Sequence, residues 1–122
     1  MAAIHLPDST EEFSITCLDA DGVDVVAVVG EIDGDTAEQV RSALPHPPGP
    51  AAARTVVDFS RTTFMDSSGV NVLIRAHGSV PDGGWLRIAG ATGAVLRVVE
   101  LVGLDQMIDC YPTVREAISA SA

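Results

Sequence analysis

A carboxylate followed by two hydroxyls, Asp66-Ser67-Ser68, stands just before Gly69 and a run in which Val70, Leu73, Ile74 and His77 recur at helical spacing. Side chains of this kind ahead of an apolar helix can do two things. Asp66 or Ser67 can act as the N-cap, accepting a backbone N–H from the first turn. A hydroxyl there can also take a phosphoryl group, because the free N–H groups and the positive dipole end favour an anion. Ser67 is the first candidate acceptor, and Ser68, inside the first turn, is its rival. A phosphate would add about −1.5 to −2 charges beside Asp66, and near Asp33 and Asp58 if strand order brings their loops together. A partner that accepted the unmodified face would then be repelled, with no refolding of the domain.

Other chemistries fit the residues less well. A hydrolase would need Ser67 or Ser68 paired with a histidine, but the Gly-x-Ser-x-Gly elbow is missing because Asp66 stands where its first Gly belongs. His5 falls in a tail, His46 in a Pro-rich loop and His77 on an apolar helix face, where a core or boundary histidine is expected. No catalytic residue is assigned. Neither the histidines nor the cysteines approach metal-ligand spacing, so no metal site and no cofactor are expected. Cys17 and Cys110 lack CxxC spacing and sit among apolar neighbours, as reduced core residues do.

The charge balance narrows the partners. Of 122 residues, 7 are basic and 17 acidic, a net −10, and every basic residue is Arg. Such a chain offers no surface for phosphate backbones or anionic lipids, so nucleic acid and membrane are excluded and a protein partner is expected. The longest aliphatic stretch, Val25 to Val29, is too short to cross a bilayer, and the N-terminus lacks a signal-peptide pattern; the expected location is the cytoplasm.

The elements that must position Ser67 follow from periodicity. Phe13, Ile15 and Cys17 alternate with polar residues as in a half-buried strand, and Asp19-Ala20-Asp21-Gly22 supplies a turn into an antiparallel, more deeply buried strand from Val23 to Val29, ended by Gly30. Asp35 and Glu38 have capping-box spacing ahead of a helix carrying Ala37, Val40 and Leu44, stopped by Pro45. Pro45 to Pro50 must be an extended connection, since it lacks donors for helix or ladder. A strand over Arg54 to Phe59, a loop over Ser60 to Asp66 and the Val70 helix come next. Trp85 to Ala89 reads as a strand with Trp85 packing at its end. Val95, Val98, Val99 and Val102 place a core stripe on a helix closed by Gly103 in a left-handed C′ position. Met107 to Cys110 gives a last short strand, and Pro112 opens a terminal helix using Val114, Ala117 and Ile118. The order is β-β-α-β-α-β-α-β-α, an α/β class with helices packed on a mixed β-sheet, in one domain over residues 13–120 behind a flexible tail over residues 1–12.

With these elements in place, Gly30-Glu31-Ile32-Asp33, Thr36-Ala37, the Asp58 strand, Phe64-Met65-Asp66-Ser67-Ser68-Gly69-Val70 and Gly103-Leu104 together resemble the STAS-domain anti-sigma-factor antagonists of bacteria. The similarity runs from about Phe13 to Ile118. It implies a STAS fold. It also implies a non-enzymatic antagonist that, unphosphorylated, binds an anti-sigma factor which is also a serine kinase, so releasing a sigma factor. That kinase would phosphorylate Ser67, a serine phosphatase would restore it, and ATP and metal ions would belong to those enzymes. Asp33, Asp66, Ser68 and Gly69 would form the partner-binding patch. Asn71 and Val70 depart from the small Gly and the Leu common in the family. Other relatives imply an alternative, a STAS scaffold or sensor subunit of a multi-STAS regulatory or transport complex.

Overall fold

In the computed structural model, residues 12–44 and 53–120 are described. The N-terminal tail with His5, and the Pro45 to Pro50 connection with His46, lie outside them. The elements are β1 (Ser14–Ala20), β2 (Val23–Ile32), α1 (Ala37–Ala43), β3 (Arg54–Met65), α2 (Ser67–Gly78), β4 (Trp85–Ala89), α3 (Gly93–Leu101), a short 3-10 turn (Leu104–Gln106), β5 (Cys110–Tyr111) and α4 (Val114–Ser119). The strands form one sheet in sequence order, β1 antiparallel to β2 and the other neighbours parallel. The expected mixed α/β architecture is the observed one.

That strand order dictates the layering. Each crossover from β2 to β5 steps the same way across the sheet, so right-handed connections place α1, α2 and α3 on one face. Their apolar residues, among them Val40, Leu73, Val95 and Val99, pack there on Val26, Val28, Val57, Phe59 and Ile88. Among the described residues only α4 covers the other face, where Ala117 meets Val23, Val25, Val56 and Ala89. The buried Arg87 of β4 holds α4 in place: its Nη1 donates to the carbonyls of Ala117 (2.8 Å) and Ala120 (3.1 Å), at the helix C-terminus. Its guanidinium also stacks over Trp85 at 3.8 Å from the ring centroid.

Several expectations are corrected. β2 does not end at Gly30; it passes through that residue at φ 97° and pairs on to Ile32 opposite Met65. The stretch Ser60 to Met65 is strand rather than loop, because the buried Thr62 hydroxyl donates to the Val28 carbonyl (2.7 Å) and two register shifts absorb the irregular pattern. Cys17 is exposed, since β1 is an edge strand reached by little of the helical layer. Val102 is 55 % exposed: the stripe's buried part is Val95 and Val99, and the chain turns away at Gly103, which does adopt the left-handed conformation expected (φ 75°). The last strand is Cys110–Tyr111 rather than Met107 to Cys110, because the 3-10 turn consumes the residues before it. Pro112 precedes the N-cap of α4, a place taken by Thr113, whose hydroxyl accepts from Glu116 N (3.1 Å).

Candidate functional site

β2 and β3 outrun β4, which pairs only as far as Asp58, so their last residues form a two-stranded arm whose ends lie side by side. Ile32 pairs with Met65, and one residue later the Asp66 N–H donates to the Ile32 carbonyl (3.1 Å). This register brings the loop after β2, carrying Asp33, against the start of α2, carrying Ser67.

Each loop is tied down by its own carboxylate. Asp66 is the N-cap of α2, in extended conformation, and its Oδ1 accepts the Ser68 N–H at 2.8 Å. Of the two N-cap candidates it is therefore Asp66, and Ser67 is the first helical residue. Ser67 is exposed, and among the described residues its hydroxyl makes no hydrogen bond. Ser68 is half-buried and sits under the Gly34 turn.

Gly69 is buried, which puts it beneath the patch rather than on its surface. A Cβ there would stand 2.5 Å from Met65 Cγ and 2.9 Å from Ile32 Cγ2. Its contribution is close approach: without a side chain, the first turn of α2 settles directly on the ends of β2 and β3.

The Asp33 loop forms a reciprocal cap. Asp33 Oδ1 accepts from the backbone N–H of Asp35 (2.9 Å) and of Thr36 (3.1 Å), and the Thr36 hydroxyl accepts from Asp33 N (2.9 Å) while donating to Glu31 O (2.8 Å). The N–H groups of Thr36, then Asp35, lower the Asp33 pKa below its ordinary value. The expected Asp35/Glu38 capping box does not form: the same geometry is made two residues earlier by Asp33 and Thr36, and Glu38 instead pairs with Arg41. Asp58 is not part of this cluster. It lies within β3, paired with Ala27 and Ala89, its Oδ1 accepting from Ser60 N (2.9 Å) at the register shift.

The electrostatics of the face follow from sequence once the loops are known to meet. Segments 31–36 and 63–69 contribute Glu31, Asp33, Asp35 and Asp66 and no Arg. A phosphate on Ser67 would enter the field of these four carboxylates, opposed by the α2 dipole and N–H groups. Two exposed apolar residues flank the serine, Phe64 (42 % exposed) and Ile74 (40 %). Ile74 shares the helical spacing of Val70, Leu73 and His77, but the exposed residues Ser67, Asn71 and Ile74 make an i, i+4, i+7 row along the outward side of α2. That spacing was available in sequence and would have separated Ile74 from the buried Val70 and Leu73. Elsewhere, His77 is half-buried, as a boundary residue is, and burial, with Asp105 and Asp109 next, pushes the Cys110 thiol up to about 11.

Parallel strands deliver two acidic loops and a helix-starting serine to one end of the sheet of a small α/β domain. The chain belongs to the STAS-domain family: a family model described as "Mlab, STAS domain" matches residues 17–109. A curated relative, the anti-sigma-F factor antagonist RsfB of Mycobacterium tuberculosis, is 26% identical over 113 residues, 93% of this chain and 90% of that one. The crystal structure of an anti-sigma factor antagonist from Mycobacterium paratuberculosis superposes with a TM-score of 0.79 at 29% identity, covering 88% of this chain and 92% of the other. That of the antagonist SpoIIAA in its unphosphorylated form gives 0.65 at 26% identity, covering 88% and 93%. These relatives are named for antagonising anti-sigma factors, so they are regulatory binding proteins and not enzymes.

Proposed function

We propose that this chain is an anti-sigma-factor antagonist acting in the cytoplasm, and that phosphorylation of Ser67 switches it off. Its unmodified form binds an anti-sigma factor that is also a serine kinase, freeing a sigma factor, and a serine phosphatase reverses the modification. The observation that carries this reading is the exposed Ser67 hydroxyl at the first position of α2, unbonded among the described residues and framed by Asp33, Asp66 and half-buried Ser68. The names of relatives matched over nine-tenths of their length supply the partner class.

Incubation with the cognate kinase and ATP, followed by mass spectrometric mapping, tests the assignment. A single phosphate on Ser67 is expected, and modification at Ser68 or elsewhere would overturn it. A second reading, a STAS subunit of a larger regulatory or transport complex, draws on the description of the matching family model. Purification from the native cell separates the two: a serine kinase as the bound protein supports the first, a homotypic STAS assembly the second.

A further inference from the structure

At the far end of α2 from Ser67, residues from the C-terminal parts of α1 and α2 face the starts of β3 and β4. They leave a cavity of about 220 Å³. Leu44, Val72, Ala76, Val80 and Leu86 supply its apolar wall. At roughly 30 Å³ per small group it holds about seven non-hydrogen atoms.

Four polar side chains line this otherwise apolar space, one of them Ser79, whose hydroxyl donates to the Arg75 carbonyl (3.0 Å). Thr55 lines it from β3; the residue is only 5 % exposed, and among the described residues its hydroxyl has no hydrogen-bond partner. Arg41 and Arg75 border the opening. Arg41 is engaged by Glu38, which leaves it oriented beside the cavity. Arg75 has no carboxylate partner among the described residues, in a chain where acidic groups outnumber basic ones 17 to 7.

We propose that this cavity binds a small amphiphilic monocarboxylate, its alkyl part inside and its carboxylate on the Arg75 guanidinium. A planar guanidinium matches a carboxylate in a two-pronged bond, which an alcohol or an ammonium group cannot make. The helix C-termini nearby carry partial negative charge, which favours a cation, so the preference for a carboxylate over an ammonium head rests on the full positive charge of Arg75 at the opening. The site lies eight residues, about 12 Å of helix rise, from Ser67 and is separate from the acidic face.

Hexanoate is the probe, titrated into the full chain and followed by amide chemical shifts, with 1-hexanol and hexylamine as controls. Saturable shifts are expected at Val72, Ala76, Val80 and Leu86, with a millimolar dissociation constant. Hexanol should bind at least tenfold more weakly, and hexylamine not at all. Arg75→Gln should weaken hexanoate about tenfold while leaving hexanol unchanged. Ala76→Leu, which fills the cavity, should abolish both, with far-ultraviolet circular dichroism confirming that the variant is folded. No saturable shift with hexanoate, equal binding of the amine, or binding that survives Ala76→Leu would each overturn the proposal.

Discussion

Two regions of this molecule put a charged side chain at a helix terminus, with opposite consequences. At the start of α2, Asp66 caps the helix in partial contact with solvent, next to an exposed serine and three further carboxylates. At the end of α4, Arg87 reaches from β4 to the last carbonyls while only 3 % exposed, between the sheet and the helix. The first charge sits in high dielectric, where adding or removing a neighbour changes the surface potential and little else. The second sits in low dielectric, where its hydrogen bonds are strong and their loss leaves buried acceptors orphaned. The exposed terminus is suited to switching a contact, and the buried one to holding the fold.

Mutation can sharpen that contrast, starting with the largest effect. Arg87→Met should lower the stability measured by urea denaturation by about 3 kcal/mol, because the Ala117 and Ala120 carbonyls lose a charged donor and α4 loosens. Binding of the anti-sigma partner by the folded variant should stay unchanged, and a loss of binding at full stability would contradict the division of labour. Gly69→Ala should cost about 2 kcal/mol, since the new Cβ overlaps Met65 and Ile32. Met65→Ala in the same chain should recover part of that loss, a coupling read from a double-mutant cycle.

Smaller effects are expected at the solvent-facing terminus. Asp66→Ala removes the cap bond to Ser68 N and should cost about 1 kcal/mol. Ser67→Ala and Ser67→Glu should each lie within about 0.5 kcal/mol of the native chain, the surface range. Partner affinity should nonetheless fall for Glu and hold for Ala by calorimetric titration, and equal affinity of the two would remove the electrostatic basis of the switch. The smallest signal is in pH. Because the N–H groups of Thr36 and Asp35 depress Asp33 in the folded state, its stabilisation is present above the ordinary carboxyl value and is lost as pH falls through the folded one. An NMR titration should place its midpoint below 3.8, and Asp33→Asn should flatten the stability profile in that acidic range.

Much of the fold was legible because periodicity reports on a single element. The β1–β2 hairpin, β4 from Trp85 to Ala89, the α3 helix and the left-handed Gly103 all follow from local spacing and turn chemistry. Ser67 and Asp66 were legible for the same reason, as residues at a helix start. What sequence reading missed depends on neighbours distant along the chain. Ser60 to Met65 contains turn-forming and polar residues that read as loop, and pairing with β2 makes it strand. Cys17 has core-like neighbours in sequence, but among the described residues its strand has a partner on one side only. Arg87 carries no sequence signal for burial, because the carbonyls that satisfy it lie 30 and 33 residues later.

The sequence by itself determined the order of elements, the acidity of the chain and the serine that begins α2, since propensity, charge count and capping are local properties. The tertiary structure alone decided that Asp33 joins that serine and Asp58 does not. Parallel pairing of Ile32 with Met65 carries two loops to one end of the sheet, and this register arises from packing across the core, which no local pattern encodes.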